Sequence, residues 1–136
     1  MSQLIHLNIE QDKQLVSPLK ADGVIISTPT GSTAYNLAAG GPIMFPYLEA
    51  FVVTPIAPHS LTTRPIIFPS TAELSFRLNN KQHRALLTID GQQALKLNAK
   101  DKVIVKTSKY KHYVLREPKH NYFDLLREKL KFGQRD

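Results

Sequence analysis

The sequence contains no cysteine among its 136 residues. That absence excludes a disulfide framework, a thiolate nucleophile and any cysteine-ligated zinc site. Long hydrophobic runs are missing too: stretches such as Val24-Ile25-Ile26 are far too short to span a bilayer. No basic stretch leading into an apolar segment opens the chain, so nothing there supports secretion. The Walker pattern, the Gly-x-Gly-x-x-Gly dinucleotide fingerprint and the Gly-x-Ser-x-Gly elbow are all absent. The five histidines, His6, His59, His83, His112 and His120, never fall at the spacing of a zinc-binding helix, and no metal site is expected. What is left is the expectation of a soluble, cytoplasmic globular domain with no membrane partner.

Hydrophobic residues make up 42% of the chain and charged residues 21%, ordinary globular usage that argues against disorder. A chain of this length supports one compact domain, residues 1–136, able to bury roughly two-thirds of its unfolded surface. The net charge of +7 is uneven: residues 1–99 carry 7 Lys and Arg against 6 Asp and Glu, whereas residues 100–136 carry 11 against 5. The basic C-terminal segment reads either as a solvated face or as an attraction for anions, because its lysines are scattered among Asp101, Glu117, Asp124 and Glu128. Tyr110, Tyr113, Tyr122 and Phe123 offer faces for bases, but no single-strand binding motif accompanies them, and nucleic acid is not expected as a partner.

Strand signals dominate. Ile5, Leu7 and Ile9 alternate with polar neighbours; Val24–Ser27, Phe51–Thr54 and Ile66–Phe68 are short apolar runs that prolines punctuate. From Ser70 onward a meander is expected. Leu74, Phe76 and Leu78 alternate, Asn79-Asn80 offers a turn, and Ala85, Leu87 and Ile89 alternate again. Asp90-Gly91 forms a tight hairpin into Ala94, Leu95 and Leu97, and Val103–Val105 and Tyr113–Leu115 add two further strands. A short helix spans Ala34–Ala39 and ends at Gly40-Gly41-Pro42. A second follows Asn121 as its cap, with Phe123, Leu126 and Leu130 on one face.

One segment departs from core-and-turn composition. From Asp22-Gly23 a strand leads into Ser27-Thr28-Pro29-Thr30-Gly31-Ser32-Thr33-Ala34-Tyr35, a hydroxyl-rich turn that opens a helix. Hydroxyls and backbone N–H groups at such a turn favour phosphate, sugar or amide oxygens. Gly31 and Ala34 admit a flat ring close to the backbone, Tyr35 offers a stacking face, and Asp22 can accept from an amide or a ribose hydroxyl. Thr30 or Ser32 serving only as a helix cap is the competing reading, and the two are compatible. His59 and Asp90 each have a plainer explanation, as a structural imidazole and as a turn residue.

This stretch, with Ala39-Gly40-Gly41-Pro42, closely resembles the NAD kinase family. The resemblance continues through Thr54-Pro55-Ile56-Ala57-Pro58-His59-Ser60-Leu61, Arg64-Pro65, Ile89-Asp90-Gly91-Gln92 and Tyr122-Phe123 to Lys129-Leu130, from about residue 20 onward. It implies a mainly β, antiparallel, two-layer sandwich-like domain with a short helix after the Pro-Thr-Gly turn and a helix at the C-terminus. It also implies a chain that binds NAD while ATP, with a divalent metal such as magnesium, phosphorylates the adenosine-ribose 2′-hydroxyl to give NADP. By match, Thr33, Ala34 and Tyr35 line the pocket near the adenosine, Asp22 and Ala57 lie towards the nicotinamide, and Thr30 and His59 are neighbouring positions. A homo-oligomer, dimer or tetramer, is implied as well.

Two departures stand out. Ala38 replaces a serine that many relatives carry. The family's Gly-Gly-Asp-Gly motif and its Asn-Glu or Asn-Asp pair, which belong to an N-terminal α/β domain, do not occur. The chain is therefore expected to be the dinucleotide-binding C-terminal domain without its catalytic partner, inactive alone, with its last helix in need of a surface. The alternative is a non-catalytic, self-associating interaction module of the same fold.

Overall fold

The computed structural model describes residues 4–79, 84–119, 121–131 and 133. Three antiparallel sheets account for its strands. β1 (Ile5–Gln11), β2 (Gln14–Ala21), β6 (Leu74–Leu78) and β9 (Lys102–Val105) form a four-stranded sheet in the order β2-β1-β6-β9. β3 (Gly23–Ser27), β4 (Ala50–Ile56) and β5 (Ile66–Pro69) form a second in that order, and β7 (Ala85–Ile89) and β8 (Gln93–Leu97) close on each other as a ribbon. Among the described residues two short α-helices, α1 (Tyr35–Ala38) and α2 (Tyr122–Leu130), and a 3₁₀ turn accompany the sheets.

Period-two patterning decides what faces inward. Leu7, Ile9, Leu19, Ala21, Leu74, Phe76 and Leu78 of the larger sheet meet Phe51, Val53 and Phe68 of the smaller one in a single buried core. The architecture is thus the expected mainly β, two-layer antiparallel one. Phe51 and Phe68, cross-strand partners, stack with ring centroids 5.8 Å apart. β4 is buried on both faces. Phe51 and Val53 point to the inter-sheet core, while Val52 and Thr54 are fully covered on the opposite side, where Thr54 bonds to a side chain of α1.

Four expectations require correction. Phe51–Thr54 does not stop at Pro55, because β4 runs through it to Ile56. The Ile56 carbonyl accepts from Asp22 on the β3 side, so the Pro55 nitrogen faces the β5 side, where pairing has already ended at Val53. No ladder donor is lost there. The meander is not sequential: β6 pairs with β1 and β9, leaving β7 and β8 to pair together. Tyr113 and Leu115 form no strand and stand 87% and 100% exposed, since alternation makes a strand only where a neighbouring edge accepts its hydrogen bonds. The Asn79-Asn80 turn lies partly outside the described residues.

The fourth correction concerns α2. Asn121 caps it as expected, its Oδ1 accepting from the Asp124 amide at 2.8 Å, and Arg127 pairs with Asp124. The helix nevertheless finds cover on this chain. Leu126 is buried, and the Tyr122 ring meets Phe45 at 5.3 Å while its hydroxyl approaches the Met44 carbonyl at 3.4 Å. Phe123, placed on the covered face by the sequence pattern, is 56% exposed instead and meets the rings of Phe45 and Tyr122 at the rim. Leu126→Ala is therefore expected to remove about 2–3 kcal/mol of docking and to expose α2 to proteolysis, whereas Phe123→Ala changes protection little. Equal cleavage of the two variants would contradict this assignment.

Candidate functional site

The hydroxyl-rich turn is built from residues that divide into two sets. β3 ends at Ser27, and Pro29 opens a 3₁₀ turn over Thr30–Thr33. Neither Thr30 nor Ser32 caps that turn, whose N-cap is Pro29; the Thr28 hydroxyl, one residue earlier, accepts from the Gly31 amide at 3.2 Å. Ala34, at φ −93° and ψ −130°, breaks the backbone between the turn and the four residues of α1. The helix closes with the Gly41 amide on the Asn36 carbonyl at 2.8 Å, and Gly40 takes a positive φ of 84°.

The inward set is fully buried and fully bonded. Ser32 Oγ donates to the Pro29 carbonyl at 2.6 Å and accepts from the Met44 amide at 3.0 Å. Asn36 Nδ2 donates to the Ser32 carbonyl at 3.0 Å and to the Pro42 carbonyl at 3.1 Å, while its Oδ1 accepts from the Thr54 hydroxyl at 2.5 Å. No buried side-chain polar atom lacks a partner among the described residues. The outward set comprises Thr30, Ala34 and Tyr35, all exposed, and half-buried Thr33. Tyr35 leaves 79% of its surface free, an apolar ring with no packing role in the fold.

The remaining candidates gather at the opposite end of the β3–β4 pair. The Asp22 amide donates to the Ile56 carbonyl at 2.9 Å, which sets Asp22 beside the β4 exit at Ala57. Ala57 adopts φ +47°, a left-handed conformation that costs a non-glycine residue about 1 kcal/mol and is more common at functional sites than elsewhere. The His59 amide donates to the Lys20 carbonyl at 2.9 Å, and its side chain lines a groove of about 420 Å³ with His6, Lys20, Ser60 and Thr63. Asp22, Ala57 and His59 are all exposed. At ~3.3 Å per strand residue, the length of β3 puts this cluster roughly 15 Å from the turn. The structure thus joins Thr30, Thr33, Ala34 and Tyr35 in one cluster and Asp22, Ala57 and His59 in another, on a shared strand pair.

The sequence reading missed Asn36 and Thr54. A signal existed for both: Thr54 is the one polar residue inside Phe51–Ile56, and asparagine is a poor helix former at the heart of a short helix. Asp90 and Gly91, at φ 51° and 68°, form the hairpin turn and stand apart from both clusters.

Among the described residues, no helix is long and apolar enough to cross a membrane. The family described as the ATP-NAD kinase C-terminal domain matches residues 1–117. A protein of Bdellovibrio bacteriovorus named NAD kinase is 60% identical over 136 residues, taking in 100% of this chain and 45% of its own. A namesake from Aquifex aeolicus is 41% identical over 133 residues, 98% of this chain and 48% of its own. Among solved structures, yeast NADH kinase complexed with NADH superposes with a TM-score of 0.83 at 31% identity, over 98% of this chain and 41% of that one. An NAD kinase from Archaeoglobus fulgidus in complex with ATP gives 0.72 at 28% identity, over 80% and 41%. The chain spans just under half the length of the curated relatives it matches.

Proposed function

The chain belongs to the ATP-NAD kinase C-terminal domain family, and from that premise we propose that it supplies the dinucleotide-binding wall of an NAD kinase. Thr33, Ala34 and Tyr35 meet the adenosine, with Thr30 beside them, and Asp22, Ala57 and His59 serve the nicotinamide end. The observation that carries this reading is the division of the turn. Its inward side chains are consumed by structural hydrogen bonds, and among the described residues its outward ones make none. The roughly 15 Å between the clusters suits an extended dinucleotide laid along β3. The small side chain of Ala34 leaves the backbone open to a flat base, and Tyr35 offers a stacking face.

On this reading, phosphoryl transfer from ATP to the ribose 2′-hydroxyl needs groups beyond these residues. Among the described residues no group of three His, Asp or Glu side chains is gathered around one point. What this chain contributes is binding and orientation: hydroxyls for the sugar edge, a rigid turn against the base, and the Asp22 carboxylate as an acceptor for the carboxamide. Self-association into a dimer or tetramer and a cytoplasmic location accompany the same proposal.

The test is Tyr35→Ala. Since the residue is 79% exposed, melting should change little. NAD binding, already weak because one wall of a pocket is a poor pocket, should weaken by about tenfold, the scale of one lost base–aromatic stack. Calorimetry at high NAD concentration reads both halves of the expectation. Unaltered affinity in a folded Tyr35→Ala chain would remove the turn from the binding surface.

A further inference from the structure

We infer that Asn36, anchored by Thr54 and working with Ser32, is a positioning residue: a clamp that fixes Thr33-Ala34-Tyr35 in the geometry that meets the dinucleotide, an inference that rests on the pocket-wall reading above. The tripeptide, half-buried at Thr33 and exposed at Ala34 and Tyr35, is bracketed by two buried residues, one on each side. Ser32 is tied to Pro29 and Met44, and Asn36 to Ser32, Pro42 and Thr54. Asn36 thus links the turn to the middle of β4, the strand buried on both faces.

Local structure alone does not hold the tripeptide still. The 3₁₀ turn and α1 have four residues each, and single turns of helix have almost no stability of their own. Between them Ala34 interrupts the helical backbone. The tethers compensate at the two positions flanking that joint. Three of the amide's four hydrogen-bonding positions are filled: both N–H donors are used, and its oxygen accepts from the Thr54 hydroxyl of β4. Gly41 closes the remaining side, since a Cβ there would lie 2.2 Å from Asn36 Oδ1. An amide tied at both donors and at its oxygen is held in one geometry, and displacements of an ångström or less in a binding wall are felt in affinity. A purely structural amide would behave differently. Its loss would lower stability but leave the affinity of the folded molecules unaltered.

The experiment compares four forms of the chain, all assayed well below their melting points: the wild type, Thr54→Val, Thr54→Ser and Leu78→Ala. Leu78→Ala truncates a buried residue of β6 in the other sheet, and so destabilises without touching the clamp. The readouts are the Kd for NAD and the backbone amide signals of residues 33–35 without ligand. Thr54→Val leaves Asn36 Oδ1 without its donor and should raise the Kd about tenfold, the scale of re-ordering a loosened segment on binding, while shifting those amide signals. Thr54→Ser, which keeps the hydroxyl, should restore both. Leu78→Ala should lower the melting temperature and move neither.

A folded Thr54→Val chain with wild-type Kd and unshifted amides overturns the clamp, as does an equal loss of affinity in Leu78→Ala. If Thr54→Val does not fold, Ser32→Ala, which removes the other tether, is judged by the same criteria. If the wild type binds no NAD, the pocket-wall reading fails on its own. The amides then still decide the clamp: shifted signals at 33–35 support it, and unshifted ones overturn it.

Discussion

Purified chain mixed with NAD, ATP and magnesium is expected to form no NADP above background. Phosphoryl transfer is accelerated by positioning the reactants and neutralising charge around the phosphates. The turn offers hydroxyls and an aromatic ring, and among the described residues no carboxylate is hydrogen-bonded to its hydroxyls as a general base would be. Asp22, the carboxylate in the other cluster, stands about 15 Å away along β3. Losing a general base alone costs about 10²–10⁴-fold, and losing the groups that hold ATP costs more. The Gly-Gly-Asp-Gly motif that the family resemblance associates with that base is absent from the sequence. An enzymatic cycling assay for NADP measures this with ample sensitivity. Product that grows in proportion to added protein, after contaminating enzyme is excluded, would show that the 136 residues hold the whole reaction.

Gly41→Ala is expected to be the most damaging of the glycine-to-alanine changes. Its Cβ would fall 2.2 Å from Asn36 Oδ1, 2.5 Å from Cγ and 2.6 Å from Nδ2. The amide cannot yield without releasing the Thr54 hydroxyl and the Ser32 and Pro42 carbonyls, each buried or partly so. Leaving such groups unpaired costs about 1–3 kcal/mol apiece, so a total near 3 kcal/mol is expected. For a domain of this size that lowers the melting temperature by roughly 10 °C. Gly40→Ala provides the contrast. It meets nothing within 4 Å and suffers only its positive φ of 84°, a cost of about 1 kcal/mol. The two sites should also differ in coupling. In an Asn36→Ala background, already destabilised by its lost hydrogen bonds, Gly41→Ala should cost little more, whereas Gly40→Ala should keep its full effect. Additive losses at Gly41 and Asn36 would mean that the close approach is relieved elsewhere.

Much of the fold was legible because short-range rules decide it. Alternation placed β1, β6 and β7, the Asp90-Gly91 pair produced the left-handed turn it is suited to, and Asn121 capped α2 as its side chain allows. Where the sequence reading went astray, a partner distant in sequence made the decision. β2 was missed because its hairpin turns on Asp12-Lys13, both at positive φ with no glycine to mark it, and because Pro18 looks like a breaker. Pro18 is tolerated since β2 is a sheet edge. The pairing of β6 was decided by β1, some seventy residues earlier, and that took the ribbon of β7 and β8 out of the expected meander.

The candidate site shows the same split. Its outward residues were visible as a run of hydroxyl, small and aromatic side chains. Its rigidity was not, because Asn36 and Thr54 meet only after β4 has folded beneath α1. The apolar face of α2 was read correctly at Leu126 and incorrectly at Phe123, since the surface it docks on, Met44 and Phe45, lies in a segment without regular structure.

The most direct test is an NAD titration of isotope-labelled chain followed through its backbone amides. If the hydroxyl-lined turn is a wall of the dinucleotide pocket, the signals of Thr33, Ala34 and Tyr35 move progressively with ligand, accompanied by those near Asp22 and Ala57. If instead the moving signals lie in the basic segment around Lys106–Tyr110, or none moves at millimolar NAD, the pocket is elsewhere and the account of the turn is wrong.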